Sequence, residues 1–126
     1  MSIPSDLRFT KSHEWIRVEG DEWVVGITDF AQKQLGDLTF VELPGEGDAV
    51  EAESDIVVVE SVKAASDVYA VASGEITGAN DGLEMSPELI NSDPYGEGWI
   101  YRIKPADASL DGFLTAEQYG EIAPDA

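Results

Sequence analysis

The architecture follows from residues 56–71, Ile56-Val57-Val58-Val59-Glu60-Ser61-Val62-Lys63-Ala64-Ala65-Ser66-Asp67-Val68-Tyr69-Ala70-Val71. Ile56 to Glu60 is almost wholly β-branched, which predicts a strand buried on both faces. β character resumes from Asp67 to Val71, and the small-sided segment between the two runs is too short for anything but a turn. The pair therefore reads as a hairpin with Lys63 at its tip. Working outward, Leu38 to Leu43 is a strand stopped by Pro44-Gly45-Glu46-Gly47-Asp48, and Val50 to Glu53 is a short one. Ser73-Gly74 turns the chain into Glu75-Ile76-Thr77, and Asn80-Asp81-Gly82 turns it again.

Upstream, Phe9 to Val18 and Trp23 to Ile27 form a second hairpin across Glu19-Gly20-Asp21. Thr28 is placed as an N-cap, Asp29 complements the helix dipole, Phe30, Ala31 and Leu35 share a face, and Gly36 closes a short helix. Downstream, Ser86-Pro87-Glu88 opens a helix of one or two turns, Trp99 to Ile103 is a strand, and Thr115-Ala116-Glu117-Gln118 is a capping box before a C-terminal helix. Turn signals every 8–12 residues or so predict a small, mainly β sandwich or barrel with short helices.

The chain has 126 residues, 26 acidic and 7 Lys or Arg, for a formal net charge of −19, with 43% hydrophobic residues. That suits one domain, residues 1–126, with a real core. The absence of cysteine excludes disulfides, thiolate metal sites and a cysteine nucleophile. One histidine, His13, cannot build a poly-histidine metal site. A surface this acidic repels phosphate backbones and anionic lipid, so no nucleic acid and no membrane are expected as partners. With neither a long apolar run nor a basic-then-apolar leader at Met1 to Arg8, the expectation is a cytoplasmic protein, and a monomer. The acids are dispersed from Asp6 to Asp125 without a like-charge block, which favours adaptation of the surface to high salt over a binding tail.

Lysine is scarce, at positions 11, 33, 63 and 104 only, yet one stands at the predicted hairpin tip. Small neighbours there would leave its amine open to a modifying enzyme. An edge lysine that keeps a strand soluble fits the same spacing, so position alone leaves both readings open. His13 beside Glu14 could suggest an acid–base pair, but adjacent residues of a strand point to opposite faces, so a structural imidazole is expected. Trp15, Trp23, Trp99, Phe9, Phe40 and Tyr101 lie mostly in strand runs and are expected in the core. Gly96-Glu97-Gly98 lacks the lysine and helix start of a phosphate loop.

The run Glu60-Ser61-Val62-Lys63-Ala64-Ala65-Ser66-Asp67 resembles the lipoylation site of the glycine cleavage system H proteins. Ser12-His13-Glu14-Trp15, Val25-Gly26-Ile27-Thr28, Phe40-Val41-Glu42-Leu43-Pro44, Ser73-Gly74-Glu75-Ile76, Pro87 to Ser92 and Pro94-Tyr95 through Gly98-Trp99 resemble further segments of that family, in family order. Biotinyl domains carry methionine on both sides of the lysine, where Val62 and Ala64 stand here. Lipoyl domains of 2-oxoacid dehydrogenase acyltransferases usually place an acid directly before it, where Val62 stands.

The resemblance implies a lipoyl-domain-like barrel-sandwich hybrid with short added helices and lipoate carried on Lys63, within a motif of Glu60, Ser61, Val62 and Ala64. It implies a cleft at Ser12, Glu14 and Asp67 that receives the aminomethyl-loaded arm. It also implies a carrier and not an enzyme, visiting a pyridoxal-phosphate glycine decarboxylase, a tetrahydrofolate-dependent aminomethyltransferase and dihydrolipoamide dehydrogenase after a lipoate-attaching enzyme has acted. A lipoyl relay to 2-oxoacid dehydrogenase complexes and an unmodified interaction protein on the same fold are the alternatives.

Overall fold

In the computed structural model, which describes Pro4 and residues 6–123, the first elements are β1 (Arg8–Phe9), β2 (Glu14–Glu19) and β3 (Glu22–Ile27). The single strand expected over Phe9 to Val18 is thus broken at 10–13. The Thr10 N–H donates to the Glu14 carbonyl at 3.0 Å, and the His13 N–H donates to the Thr10 carbonyl at 3.1 Å. His13 itself adopts the left-handed region, with φ 70°. The Thr10 hydroxyl explains the break, since it accepts from the Glu14 N–H at 3.1 Å and donates to Glu14 Oε1 at 2.6 Å. A short polar side chain has replaced ladder partners with local ones. Between β2 and β3, Gly20 takes φ 67° at the first central position of a two-residue turn, where a side chain would be strained.

Helix α1 (Asp29–Leu35) begins as expected: Thr28 Oγ1 accepts from the Ala31 N–H at 3.2 Å, Asp29 lies in the first turn and Lys33 in the last. Gly36 follows at φ 82°. Then come β4 (Leu38–Glu42), β5 (Ala49–Val50), β6 (Asp55–Ser61), β7 (Ala65–Tyr69) and β8 (Gly74–Ala79). Two one-turn helices, α2 (Gly82–Met85) and α3 (Leu89–Ser92), precede β9 (Tyr101–Pro105) and α4 (Ala116–Ile122). The Asn80-Asp81-Gly82 turn continues into α2 because Leu83 is drawn into the core. The capping box of α4 is complete, with the Gln118 N–H on Thr115 Oγ1 at 3.3 Å and the Thr115 N–H on Gln118 Oε1 at 3.0 Å.

The strands form two open antiparallel sheets, one in the order β1-β2-β3-β9-β8-β5 and one in the order β4-β6-β7. Ile16, Trp23, Val25, Ile27, Ile76 and Ile103 of the first meet Leu38, Val41, Val57, Val59 and Val68 of the second in the main core. On the far face of β1–β3, Phe9, Trp15 and Val24 are buried against Leu7, Tyr119 and Ala123, so α4 covers that side. The strand buried on both faces is therefore β3. In β6 burial alternates, with Val57 and Val59 inside and Ile56 and Val58 half-buried, because only one face of the three-stranded sheet meets the other sheet.

The strand expected from Trp99 begins two residues later, since the Asn80 side chain takes the carbonyls of Glu97 and Trp99, both at 2.8 Å. Phe40, expected in the core, is 47% exposed on β4, and Trp99 is half-buried against Arg102. The short strand expected over Val50 to Glu53 is instead Ala49–Val50, with Glu53 at φ 69°, and the helix expected to open at Ser86-Pro87-Glu88 begins at Leu89. The mainly β architecture with short helices, one of them C-terminal, is the one anticipated. Among the described residues no helix is long and apolar enough to cross a membrane.

Candidate carrier site

The β6–β7 hairpin places Lys63 at its tip, and Ser61 organises the turn. The Ser61 N–H donates to the Ala64 carbonyl at 2.8 Å, while Ser61 Oγ accepts the N–H groups of Lys63 and Ala64, each at 3.1 Å. One small hydroxyl satisfies a turn that would otherwise leave its amides to water. Val62, Lys63 and Ala64 are exposed, Val62 by 70%. Glu60 is exposed as well, in register with Phe40 on one side and Ala65 on the other.

The tip is tied to the body at one point, where the Val62 N–H donates to the Asp37 carbonyl at 3.1 Å. Beside this bond the Lys63 stem crosses Gly36: a Cβ at position 36 would stand 3.3 Å from Lys63 Cε and 3.8 Å from Nζ. Behind Gly36, Asn91 holds the loop. Its Nδ2 donates to the Gly36 carbonyl at 2.9 Å and to Gln32 Oε1 at 2.8 Å, and its Oδ1 accepts from the Leu38 N–H at 2.9 Å. Arg17, Lys33, Arg102 and Lys104 each pair with a carboxylate, but no ion pair engages Lys63 among the described residues.

Next to this seat lies a cavity of about 290 Å³. The 10–13 turn and β2 contribute Ser12, His13 and Glu14; α1 contributes Phe30, Ala31, Gln34 and Leu35; β7 contributes Ser66, Asp67 and Val68. The three positions taken from the family resemblance, Ser12, Glu14 and Asp67, thus come together, although they are far apart in sequence. Ser12 and Asp67 are exposed, whereas Glu14 is only 3% exposed. Burial pushes the Glu14 carboxyl above its ordinary range, and the Thr10 hydroxyl and Tyr69 backbone N–H draw it part of the way back. A second cavity of about 300 Å³ shares Ser12 and Glu14 and is lined also by Phe9, Tyr69 and Leu114, at the end of β7 away from the hairpin tip.

His13 was not expected in the same site as Glu14. Its positive φ breaks the alternation of the strand and brings both residues to one cavity. The imidazole is nonetheless held structurally: Nδ1 shares a 2.7 Å hydrogen bond with the Tyr119 hydroxyl, the ring lies 4.8 Å from Phe30, and burial lowers its pKa. Asn91 and Tyr119 were not singled out from sequence, and Gly36 was read only as the close of α1. The apolar face of α1 was singled out, and it supplies one wall of the cavity.

An exposed amine that no ion pair engages among the described residues, on a protruding turn with a cavity beside it, has the geometry of a swinging-arm carrier, a protein that presents a prosthetic group to the active sites of others. The family model for Glycine cleavage H-protein matches residues 7–125. A glycine cleavage system H protein of Nitratidesulfovibrio vulgaris (strain DP4) is 57% identical over 122 residues, covering 97% of this chain and 95% of that protein. One from Halorhodospira halophila (strain DSM 244 / SL1) is 58% identical over 125 residues, covering 98% and 96%. The crystal structure of a glycine cleavage system H protein from Mycobacterium marinum superposes with a TM-score of 0.87 at 42% identity, covering 94% of this chain and 97% of that one. The chain belongs to the glycine cleavage H-protein family, whose members are lipoyl carriers and not catalysts.

Proposed function

We propose that the whole chain acts as one carrier domain in which Lys63 bears lipoate through an amide. Ser12, Glu14 and Asp67 then hold the cargo end of the arm between visits to the partner enzymes. The observation that carries this reading is the course of the Lys63 stem across Gly36, one residue beyond Leu35, which lines the cavity. The cavity suits the group: Ile27, Ala31, Leu35, Val59 and Val68 offer an apolar channel for an alkyl arm, and Glu14 stands ready for an amine. When bound, the lipoyl group supplies a dithiolane that takes up an aminomethyl unit with two electrons and later yields both.

The chain's own residues shelter what the arm carries. An aminomethyl amine is a cation near neutral pH, and a buried carboxylate holds it by a charge-assisted hydrogen bond that water would weaken. The Thr10 hydroxyl, donating to Glu14 Oε1 at 2.6 Å, fixes that carboxylate in place. Asp67 lies exposed on β7 and adds a second negative charge, and Ser12 adds a hydroxyl. Keeping water out slows loss of the unit as formaldehyde and ammonia. The partners on this reading are the glycine decarboxylase, the aminomethyltransferase, dihydrolipoamide dehydrogenase and the lipoate-attaching enzyme. The dispersed acids, in turn, belong to a surface suited to high ionic strength.

The test is direct. Protein made with lipoate and its attaching enzyme should gain one lipoyl mass, located on Lys63 by proteolysis, and support glycine-dependent bicarbonate exchange with the decarboxylase. Lys63→Arg should lose both with its melting temperature unchanged. An adduct elsewhere, or exchange that survives in Lys63→Arg, would refute the assignment.

A further inference from the structure

We infer that Tyr119 is a positioning residue for the cavity, its hydroxyl tying the turn that carries Ser12 and Glu14 to the N-terminus of α1. The inference rests on the reading of the cavity as the shelter of the arm. Tyr119 lies on α4, fully buried, with its ring stacked on Phe9 at 4.7 Å and 12°. Its hydroxyl is 2.7 Å from His13 Nδ1 and 2.7 Å from Thr28 Oγ1. Those two partners belong to opposite walls. His13 sits between Ser12 and Glu14, while Thr28 caps α1 through the Ala31 N–H at 3.2 Å and so sets where Phe30, Ala31 and Leu35 begin.

The protons can be counted. Thr28 Oγ1 already accepts the Ala31 N–H and has one hydrogen to give or one more bond to accept. Burial pushes the Tyr119 phenol up to about 12, so it keeps its own proton at neutral pH. Either Thr28 donates to Tyr119 and Tyr119 to His13, or His13 donates to Tyr119 and Tyr119 to Thr28. Each arrangement fills both bonds, and a neutral imidazole serves either.

The backbone at His13 adds a reason for the tie. A β-carbon at φ 70° is strained, and such a residue persists where its surroundings hold it. One backbone bond, from the Thr28 N–H to the His13 carbonyl at 3.0 Å, already joins the walls, and the phenol provides the second link. Without it, His13 Nδ1 and Thr28 Oγ1 lose a partner inside the protein, and the turn is free to relax away from α1.

Tyr119→Phe keeps the ring on Phe9 and removes only the hydroxyl. Lipoylated wild type, Tyr119→Phe, Glu14→Ala and Leu83→Ala would be compared, the last being a buried residue of the other core cluster that serves as a general destabilisation control. Three quantities are read: hydrogen exchange at 10–14 and 28–32, the decay rate of the aminomethyl-loaded protein, and the lipoylation rate at Lys63. Tyr119→Phe should raise exchange in both segments by about tenfold, the equivalent of one net hydrogen bond. It should hasten decay several-fold and leave lipoylation unchanged.

Exchange that does not rise in both segments overturns the inference, whatever the chemistry does. Raised exchange with wild-type decay, while Glu14→Ala decays fast, overturns the positioning role and leaves the cavity reading standing. Equal acceleration by Leu83→Ala reduces Tyr119 to general stability. If Glu14→Ala and Tyr119→Phe both decay as wild type does, the cavity is no shelter and the inference falls with it.

Discussion

At the hairpin tip, Val62 and Lys63 stand in solvent on a turn closed by the Ser61 hydroxyl, whereas Glu14, which lines the adjoining cavity, is only 3% exposed and takes the Thr10 hydroxyl on Oε1 at 2.6 Å. The two regions treat charge in opposite ways. The Lys63 side chain is exposed and no ion pair engages it among the described residues, so no desolvation opposes folding. The carboxylate is kept from water at a cost that only local hydrogen bonds offset. On the proposed function, stability and function coincide at the tip and diverge in the cavity. The hinge between them is the loop at 36–38, on which the Lys63 stem and the Val62 amide both rest.

Cutting the support of that loop should have the largest effect. Asn91→Ala removes three hydrogen bonds and leaves the Gly36 carbonyl, the Leu38 N–H and the Gln32 amide without their partner. Each such bond is worth about 0.5–1.5 kcal/mol net, so chemical denaturation should show a loss of about 2–3 kcal/mol. Amide exchange at Val62 should rise as well, because its acceptor is the Asp37 carbonyl. A loss under about 0.5 kcal/mol would mean that the hairpin and α1 hold the loop without Asn91.

A smaller change probes the seat itself. Gly36→Ala meets φ 82°, ψ −161°, a backbone region that essentially only glycine enters and that costs a side chain about 1–3 kcal/mol, and puts its Cβ 3.3 Å from Lys63 Cε. Gly47→Ala meets a positive φ as well, 91°, but nothing lies within 4 Å of its Cβ, so it should cost stability without displacing the stem. On the proposed function only Gly36→Ala should shorten the life of the loaded arm. If Gly47→Ala shortens it equally, lost stability and not the stem's course is responsible.

How much of this was legible in the sequence depended on how local the cause was. Thr28, Gly36, Thr115 with Gln118, and the small residues about Lys63 act within a few positions, so both capped helices and the hairpin could be read from them. The break at 10–13 was hidden because Thr10 and Ser12 sit as naturally in an exposed strand, and nothing in the name of His13 announces a positive φ. β6 looked doubly buried from its β-branched run, but burial is decided by which strands the small sheet finds, and β3 took that place. Ser12, Glu14 and Asp67 were placed by family resemblance, not by spacing. The fold that assembles them also recruits Tyr119, whose partners lie 106 and 91 positions away. No pattern of neighbours encodes such a contact.

The buried carboxylate leaves a signature in pH. The folded-state pKa of Glu14 is raised above its ordinary 4.5, so the folded protein binds this proton more tightly than the unfolded chain. The cost of ionised Glu14 is thus absent below the ordinary value, develops as pH rises towards the folded value, and is complete above it. Glu14→Gln carries no such group, and the other acids are common to both proteins. The melting temperature of wild type minus that of Glu14→Gln should therefore fall between pH 4 and neutrality. A difference that rises with pH would mean that Thr10 and Tyr69 outweigh burial, and the contrast between tip and cavity would be lost.

The surrounding charge gives the mildest test. With 26 acids against 7 bases, most carboxylates have no cation to meet. The ion pairs among the described residues are surface ones, apart from that of the buried Asp29 with Lys33. Exposed carboxylates repel one another over a distance that shrinks from about 30 Å at 0.01 M salt to about 3 Å at 1 M. The melting temperature should therefore rise by a few degrees from dilute buffer to molar potassium chloride. Glu14, behind protein and away from the ions, should take little part, so wild type and Glu14→Gln should gain alike. A larger gain in the wild type would show salt reaching the cavity, and Glu14 would then belong, with the hairpin tip, to the wet part of the molecule.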